Sequence, residues 1–143
     1  MREIRSEIDI AAPPTTVWAI LTNFEKWQTW NPIVKQVRGV ATRGSKLNVN
    51  MRGKEGQEGQ HYVATITTFE EPLFFRWRAK MIADFLFAND KVFELKETPG
   101  GTKLVHTEAF SGILVSLFWG KLDKQVPTIL KTMNEAVKTK AET

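Results

Sequence analysis

The chain has 143 residues, no cysteine and a formal net charge of +4, and its length predicts one domain, residues 1–143, with its own hydrophobic core. The absence of cysteine excludes thiol catalysis, disulfides and thiolate metal sites. The 20 Lys and Arg are interspersed with 16 Asp and Glu, which is typical of a mixed solvated surface, so no nucleic-acid partner is expected.

Aromatic residues are unevenly represented: the chain has five Trp and nine Phe but a single Tyr. Phe carries no polar group and Trp only one donor, so this composition favours an apolar core or pocket over a polar recognition surface. The first ten residues lack the apolar stretch of a signal peptide, and no run approaches the roughly 20 apolar residues that span a bilayer. We therefore expect a cytoplasmic protein with no integral membrane segment.

The chain begins with a predicted strand. Residues 2–10 alternate in polarity, which is the period-two pattern of a half-buried strand. Two prolines end it, and Pro14 suits the first turn of a helix because no N–H is needed there. The apolar residues within 17–24 predict a short helix, followed by a second helical turn that contains Trp27 and ends before Pro32.

From residue 33 to residue 111 the pattern is one of strands and turns. The glycine-rich residues 53–59 predict a mobile hairpin loop, and residues 98–101 predict a tight turn. Runs rich in β-branched and aromatic residues predict six further strands. These are Ile33–Arg38, Lys46–Arg52, His61–Phe69, Leu73–Met81, Lys91–Glu97 and Thr102–Ser111.

The last quarter of the chain, residues 113–140, predicts one long helix. Its apolar residues, among them Val126, Leu130 and Met133, recur at spacings of three and four and form one stripe. Pro127 lies within this pattern and predicts a bend, because proline removes a backbone hydrogen bond. Seven strands, with two short helices after the first strand and the long helix last, predict an α+β fold with an antiparallel sheet.

Several short motifs follow one another along the whole chain. They are Ile8–Pro13 running into Val17–Trp18, Trp27 with Trp30–Pro32, Glu71–Pro72 before the strand Leu73–Trp77, Gly101–Thr102, and His106–Glu108 leading to Phe110–Gly112. Together with the order of the elements, they resemble the helix-grip fold of the START-like superfamily known as SRPBCC, which includes polyketide cyclase/dehydrase and lipid-transfer branches. The resemblance implies a curved seven-stranded sheet wrapped around the C-terminal helix, with an elongated apolar cavity between them.

The leading functional hypothesis is binding or transport of a small hydrophobic or aromatic ligand in this cavity. Both the aromatic excess and the resemblance favour it. The residues predicted to contact the ligand are apolar or aromatic: Trp30, Met51, Tyr62, Trp77, Phe85, Phe87, Phe110, Phe118 and Leu122. For each of them the alternative is a place in the plain core, because core and pocket share their composition.

His106 and Glu108 lie two residues apart on the last predicted strand, so their side chains share one face. If that face lines the cavity, they are candidates for general acid/base chemistry, and the protein is instead a polyketide cyclase/dehydratase-like enzyme. If it does not, the two residues are structural. The other histidine, His61, stands outside any metal-ligand spacing, and no cofactor fingerprint is present, so no metal and no cofactor are expected.

The connection at residues 82–90 is unusually apolar. It is predicted to gate the cavity, with Phe85 or Phe87 packing near Phe118 and Leu122, and the alternative is a permanently docked part of the core. A third functional hypothesis is a chaperone-cofactor-like protein interaction module, which predicts an exposed apolar patch and little cavity. The sequence leaves the oligomeric state and the ligand open.

Overall fold

The computed structural model describes residues 2–53, 57, 59–80 and 83–143. The predicted mobile loop at residues 53–59 lies largely outside them, as do Met81 at the end of a predicted strand and Ile82 at the start of the predicted gate. The strands are β1 Arg2–Ile10, β2 Val34–Arg38, β3 Lys46–Met51, β4 His61–Glu70, β5 Phe74–Lys80, β6 Ala88–Thr98 and β7 Gly101–Ser111. The helices are α1 Pro14–Thr22, α2 Trp27–Trp30 and α3 Val115–Ala141, with a 3-10 turn at Phe24–Lys26.

The strands form one antiparallel sheet in the order β1-β7-β6-β5-β4-β3-β2, which confirms the predicted α+β helix-grip fold. Strands β2 to β7 pair with their neighbours in sequence, whereas β1 pairs with β7 along its whole length. The register of β4 against β5 shifts between Ile66 and Thr68, an irregularity of the kind that bends a strand. The first strand and the last strand are therefore adjacent, and α3 leaves the sheet beside them.

The boundary of β6 differs from the prediction. This strand begins at Ala88 and not at Lys91, because its first residues continue the hydrogen-bonded ladder with β7. The apolar connection therefore ends at Phe87, and Asp90 is a buried strand residue. Sequence alternation missed this start because Ala88, Asn89 and Asp90 have low strand propensity, which strand pairing overrides.

The long helix α3 packs against β1 and, less extensively, against β7. The side chains that its predicted stripe buries are Val115, Val126, Leu130, Met133 and Val137. Leu117, close to the start of the helix, is 75% exposed. The helix continues through Pro127 to its end, and the bend predicted there stays a prediction. The buried positions thus lie mainly in the later turns of α3, with Val115 buried at its start.

The buried apolar side chains form two clusters. The larger cluster holds the aromatic core, including Phe24, Trp27, Phe75, Trp77 and Phe93. The smaller cluster lies under the first half of α3 and consists of Ile4, Phe110, Val115, Val126 and Leu130. On β7, Leu104 belongs to the larger cluster and Phe110 to the smaller one. His106 and Glu108 therefore lie between the two apolar clusters.

Candidate functional site

Alternate positions on adjacent strands bring several polar side chains together on one face of the sheet. The register pairs Glu108 of β7 with Lys91 of β6, and Lys91 with Trp77 of β5. His106 lies two residues before Glu108 and is paired with Phe93. This face is the one that α3 covers, because the His106 side chain reaches that helix. We call the residues Tyr62, Trp77, Lys91, His106 and Glu108 the polar strip.

His106 is fully buried and is held by groups on two sides. Its Nδ1 lies 2.9 Å from Oδ1 of Asn134 on α3, and the Asn134 amide nitrogen donates to the carbonyl oxygen of Ser6 at 3.5 Å. This amide orientation assigns the proton to Nδ1, which donates to Asn134, and leaves Nε2 as an acceptor. The ring also stacks on Phe93, with centroids 4.4 Å apart and planes at 26°. The imidazole is therefore fixed in both position and tautomer.

The electrostatic surroundings keep this imidazole uncharged. Burial lowers the pKa of His106 well below its usual value, and the charge of Lys91 lowers it further, while the hydrogen bond to Asn134 opposes both. Nε2 has no hydrogen-bond partner within the described part of the chain. His106 thus presents a neutral, buried nitrogen that is able to accept a hydrogen bond or a proton.

The lowered pKa of His106 makes the stability of the fold depend on pH. Because the pKa in the folded state lies below the unfolded value of about 6.5, the unfolded chain takes up a proton first as pH falls. Stability is therefore complete above about pH 6.5 and is lost at lower pH by up to about 1.4 kcal/mol per pH unit. Urea unfolding between about pH 7.5 and about pH 5 measures this slope.

The control for this prediction is the second histidine. His106→Gln is expected to flatten the slope, whereas His61→Gln at an exposed position is expected to leave it unchanged. If His106→Gln keeps the wild-type slope, the loss of stability comes from other groups and His106 is not the residue that titrates.

Lys91 and Glu108 form a buried ion pair in the middle of the polar strip. The Lys91 Nζ donates to the Glu108 Oε1 at 2.8 Å, and the two side chains are only 6% and 15% exposed. The Lys91 ammonium also lies 5.6 Å from the centroid of Phe93. Since both charges are largely removed from water, each depends on the other for compensation. Together they add no net charge to the face.

Tyr62 and Trp77 complete the strip. Burial raises the pKa of Tyr62 and the negative charge of Glu108 raises it further, while the neighbouring Trp77 indole opposes the rise. The phenol is therefore neutral. The Trp77 Nε1 lies near this hydroxyl without a hydrogen bond of ordinary geometry, and it counts with His106 Nε2 among the unpartnered buried atoms of the described residues. Each such atom costs about 1–3 kcal/mol of folding stability.

The residues predicted to contact a ligand fall into two groups. Four of them pack in or against the larger apolar cluster: Trp30, Met51, Tyr62 and Trp77. Three pack in or against the smaller one: Phe87, Phe110 and Leu122. Phe118 contacts Phe87, with ring centroids 6.1 Å apart, whereas Phe85 is 68% exposed and belongs to neither cluster. Ligand contact stays a prediction for all of them, and two of the first group, Tyr62 and Trp77, are themselves part of the polar strip.

The apolar connection, described from residue 83 to residue 87, is tied to the start of α3. The Ile113 amide donates to the carbonyl oxygen of Phe85 at 3.0 Å. Gly112 has a φ of 110°, and a Cβ there would lie 2.4 Å from the carbonyl oxygen of Leu86, so only glycine permits this close approach. Any movement of the connection would have to break these backbone contacts.

Phe87 and Phe85 are expected to respond differently to truncation. Phe87 is half-buried and its ring lies 6.0 Å from that of Phe110, so Phe87→Ala should lower the free energy of unfolding by about 1.5–3 kcal/mol. Phe85→Ala at its exposed position should change it by about 0.5 kcal/mol or less. Urea unfolding of both variants measures the difference.

Ligand exchange kinetics then test the predicted gate. If residues 83–87 form a gate, Phe87→Ala accelerates both association and dissociation of a bound ligand. A loss of stability without any change in these rates would assign the connection to the core.

Large apolar side chains are exposed where the connection meets α3. Phe85, Ile113 and Leu117 are 68%, 72% and 75% exposed. Phe118 beside them is 37% exposed. An exposed apolar patch of this kind is what the hypothesis of an interaction module predicts.

Two surface hollows lie away from the polar strip. One, of about 420 Å³, is lined by residues of α1 and by the turn between β4 and β5. The other, of about 650 Å³, is lined by residues 11–15 and by the turns that precede β5 and β7. Neither is lined by a residue predicted to contact a ligand or to act as a catalyst.

Sequence reasoning missed Lys91 and Asn134, although each carried a signal. Lys91 shares its alternation with the apolar Phe93 and Leu95, so it is a charged residue at an inward-facing position. Asn134 lies four residues after Leu130 and three before Val137, so it is a polar residue within the apolar stripe of α3. A polar residue in an otherwise buried pattern indicates a specific partner.

Metal-binding clusters and membrane-crossing helices are both absent from the part of the chain that the structure describes. Among the residues that the structure describes, no three His, Cys, Asp or Glu side chains come together as a metal-binding group. No helix in the same ranges is both long enough and apolar enough to cross a membrane.

Comparison with known proteins gives a family and a fold. The family described as polyketide cyclase / dehydrase and lipid transport matches residues 1–142, and no curated protein matches the chain. One similar structure is the di-domain aromatase/cyclase StfQ of the steffimycin biosynthetic pathway, with 10% identity over 98% of this chain and 50% of that one, and a TM-score of 0.79.

Two further structures have the same fold. The protein TTHA0849 from Thermus thermophilus is 18% identical over 98% of this chain and 97% of its own, with a TM-score of 0.76. A point mutant of norcoclaurine synthase from Thalictrum flavum, in complex with a transition-state analogue, is 11% identical over 98% and 93%, with a TM-score of 0.74. At such low identity, these structures show a shared fold and nothing further about function.

Proposed function

Because the chain belongs to the polyketide cyclase/dehydrase and lipid transport family, we propose that it binds or transports a small hydrophobic or aromatic molecule. The ligand lies between the inner face of the sheet and α3, at the polar strip. The family supports the general class of function, and the arrangement of the strip supports this location.

The observation that carries the proposal is a pair of buried polar atoms on the inner face of the sheet, one on a residue between the two apolar clusters and one on a residue of the larger cluster. His106 Nε2 and Trp77 Nε1 both lack a partner among the residues described. Such atoms are rare in native proteins and call for a specific explanation. Ligand sites commonly combine apolar walls with a few polar groups that orient the ligand, and the polar strip has this composition.

Two measurements test the proposal: one detects a ligand retained during purification, and the other detects binding of added ligands. Native mass spectrometry of protein purified without denaturation is expected to show an additional bound mass. Adding members of a panel of lipids and aromatic metabolites is expected to raise the melting temperature, because a ligand that binds only the folded state stabilises it. The absence of both effects would overturn the proposal.

A matched pair of substitutions locates the site. Ala79 is partly buried against the larger cluster and is paired with Asn89 and Ala64 across the inner face, so Ala79→Leu is expected to fill space at the ligand and abolish the thermal shift. Ala19 is exposed on α1, and Ala19→Leu is expected to keep the shift. Equal shifts in both variants would place the ligand elsewhere.

An enzyme of the polyketide cyclase/dehydratase kind is the second candidate. The neutral, fixed Nε2 of His106 favours it, because this nitrogen is able to take a proton from a bound molecule, with Glu108 two residues away on the same face. His106→Ala and Glu108→Gln are then expected to abolish turnover while ligand binding largely persists. Unchanged turnover in the double variant would remove both assigned roles.

A protein interaction module is the third candidate, and the exposed apolar side chains at the start of α3 favour it. Leu117→Lys is then expected to prevent binding of a partner protein without changing ligand binding. This candidate replaces the first if the ligand panel gives no thermal shift and a partner that co-purifies with the wild type is lost in Leu117→Lys.

A further inference from the structure

The hydrogen-bonding capacity of the polar strip limits which ligands fit it. His106 Nδ1 is committed to Asn134, so its unpartnered Nε2 acts as an acceptor and requires a donor. The indole nitrogen of Trp77 only donates, and because the Tyr62 hydroxyl beside it makes no hydrogen bond of ordinary geometry, it is free to donate to an acceptor on a ligand. Both atoms are buried without a partner among the described residues. A ligand that satisfies them carries an O–H or N–H donor and an oxygen or other acceptor.

The charges on the inner face limit the ligand further. Inward-facing positions alternate along β5, β6 and β7, and along β4 apart from its register irregularity. Among those that the structure describes, Lys91 and Glu108 are the charged residues that are not exposed. These two are already paired at 2.8 Å. A carboxylate ligand would enter a largely dry site beside Glu108, with no unpaired cation on this described part of the face to receive it. Burying an uncompensated charge is strongly unfavourable.

The body of the ligand has to match the walls on either side of the strip. On one side, the rings of Phe75 and Phe93 stack with centroids 4.8 Å apart, and both lie within 6.3 Å of the Trp77 ring of the strip. On the other side, Phe110 and its neighbours in the smaller cluster offer aliphatic and aromatic carbon. Flat or elongated apolar molecules suit such walls better than compact polar ones.

We infer that the ligand is an uncharged apolar molecule bearing at least one hydroxyl group, an alcohol or a phenol, and that ionised carboxylates such as fatty acids are excluded. This inference rests on the proposed function. The hydroxyl donates to Nε2 of His106, and an oxygen of the ligand accepts from Nε1 of Trp77. No covalent step is involved.

Three probes of one size test the inference: 2-naphthol, 2-naphthoic acid and naphthalene, titrated by calorimetry at about pH 7.5, where only the acid is ionised. The naphthol is expected to bind at least about tenfold more tightly than either of the others, the difference that one hydrogen bond and one buried charge make. Tighter binding of the naphthoate would overturn the inference and leave the proposed function standing. No binding by any of the three would overturn the inference, and the proposed function falls with it only if the retained mass and the thermal shift from the wider panel are also absent.

Two variants assign the contacts. His106→Phe removes the acceptor and is expected to weaken naphthol binding about tenfold while leaving naphthalene binding unchanged. Trp77→Phe removes the donor from the second position with the same expected pattern, and it decides the outcome if His106→Phe does not fold. Equal weakening of naphthol and naphthalene in a folded variant would show loss of packing alone and would overturn the assigned hydrogen bonds.

Discussion

Lys91→Met is expected to lower the free energy of unfolding by about 3–5 kcal/mol. The substitution keeps most of the side-chain volume but leaves the carboxylate of Glu108, only 15% exposed, without its compensating charge. Uncompensated buried charges are among the most destabilising defects in a folded protein. Urea unfolding at neutral pH measures the loss.

The double variant separates the ion pair from the rest of the site. Lys91→Met combined with Glu108→Leu removes both charges and is expected to recover most of the stability, because an apolar pair of similar volume often replaces a buried ion pair without loss. Arg5 and Glu7, 2.7 Å apart but 49% and 41% exposed, provide the surface control, and Arg5→Met is expected to cost about 1 kcal/mol or less. If the double variant is as unstable as the single one, the pair is not the source of the effect.

Lys91→Met also bears on the pH dependence of stability. Lys91 is the second cause of the lowered pKa of His106, after burial. Its removal brings the folded-state pKa closer to the unfolded value, so the loss of stability with falling pH should end at a higher pH than in the wild type. A change in this profile would show that Lys91 and His106 interact electrostatically.

Trp27→Ala is expected to have a comparable effect, a loss of about 3–5 kcal/mol. Trp27 is completely buried, and its ring centroid lies 5.5 Å from that of Phe24 and 5.7 Å from that of Trp77. Its indole N–H also donates to the carbonyl oxygen of Leu21 at 3.1 Å. Truncation therefore removes the ring through which the short helical segment at residues 24–30 packs against the sheet. Thermal and urea unfolding of the variant measure the cost.

Two milder variants calibrate this result. Trp27→Phe keeps a ring and loses mainly the hydrogen bond to Leu21, so a cost of about 1–2 kcal/mol is expected. Trp30→Ala removes a half-buried ring whose centroid lies 5.7 Å from that of Trp27, and it should also cost about 1–2 kcal/mol. If Trp27→Ala costs no more than Trp30→Ala, the Trp27 ring does not contribute more to the stability of the larger cluster than its half-buried neighbour.

Local pattern was sufficient for most of the fold. Alternation along residues 2–10 predicted β1, and the spacing of Val126, Leu130 and Met133 predicted the buried side of α3, because side-chain direction repeats with a fixed period in each kind of element. The prediction failed at the start of β6, where Ala88 and Asn89 carry no strand signal and pairing with β7 decides. Pairing partners are remote in sequence, so no local pattern reports them.

In the candidate site, too, some features follow from local sequence pattern and others from contacts between distant elements. Strand geometry alone placed His106 and Glu108 on one face, because residues two apart in a strand point to the same side. Which face this is became known from the contact of His106 with Asn134, 28 positions later. The pairing of Glu108 with Lys91 was likewise decided by strand register. Side-chain direction within a strand is a local property, but the surroundings that set charge and protonation belong to elements that meet only in the folded chain.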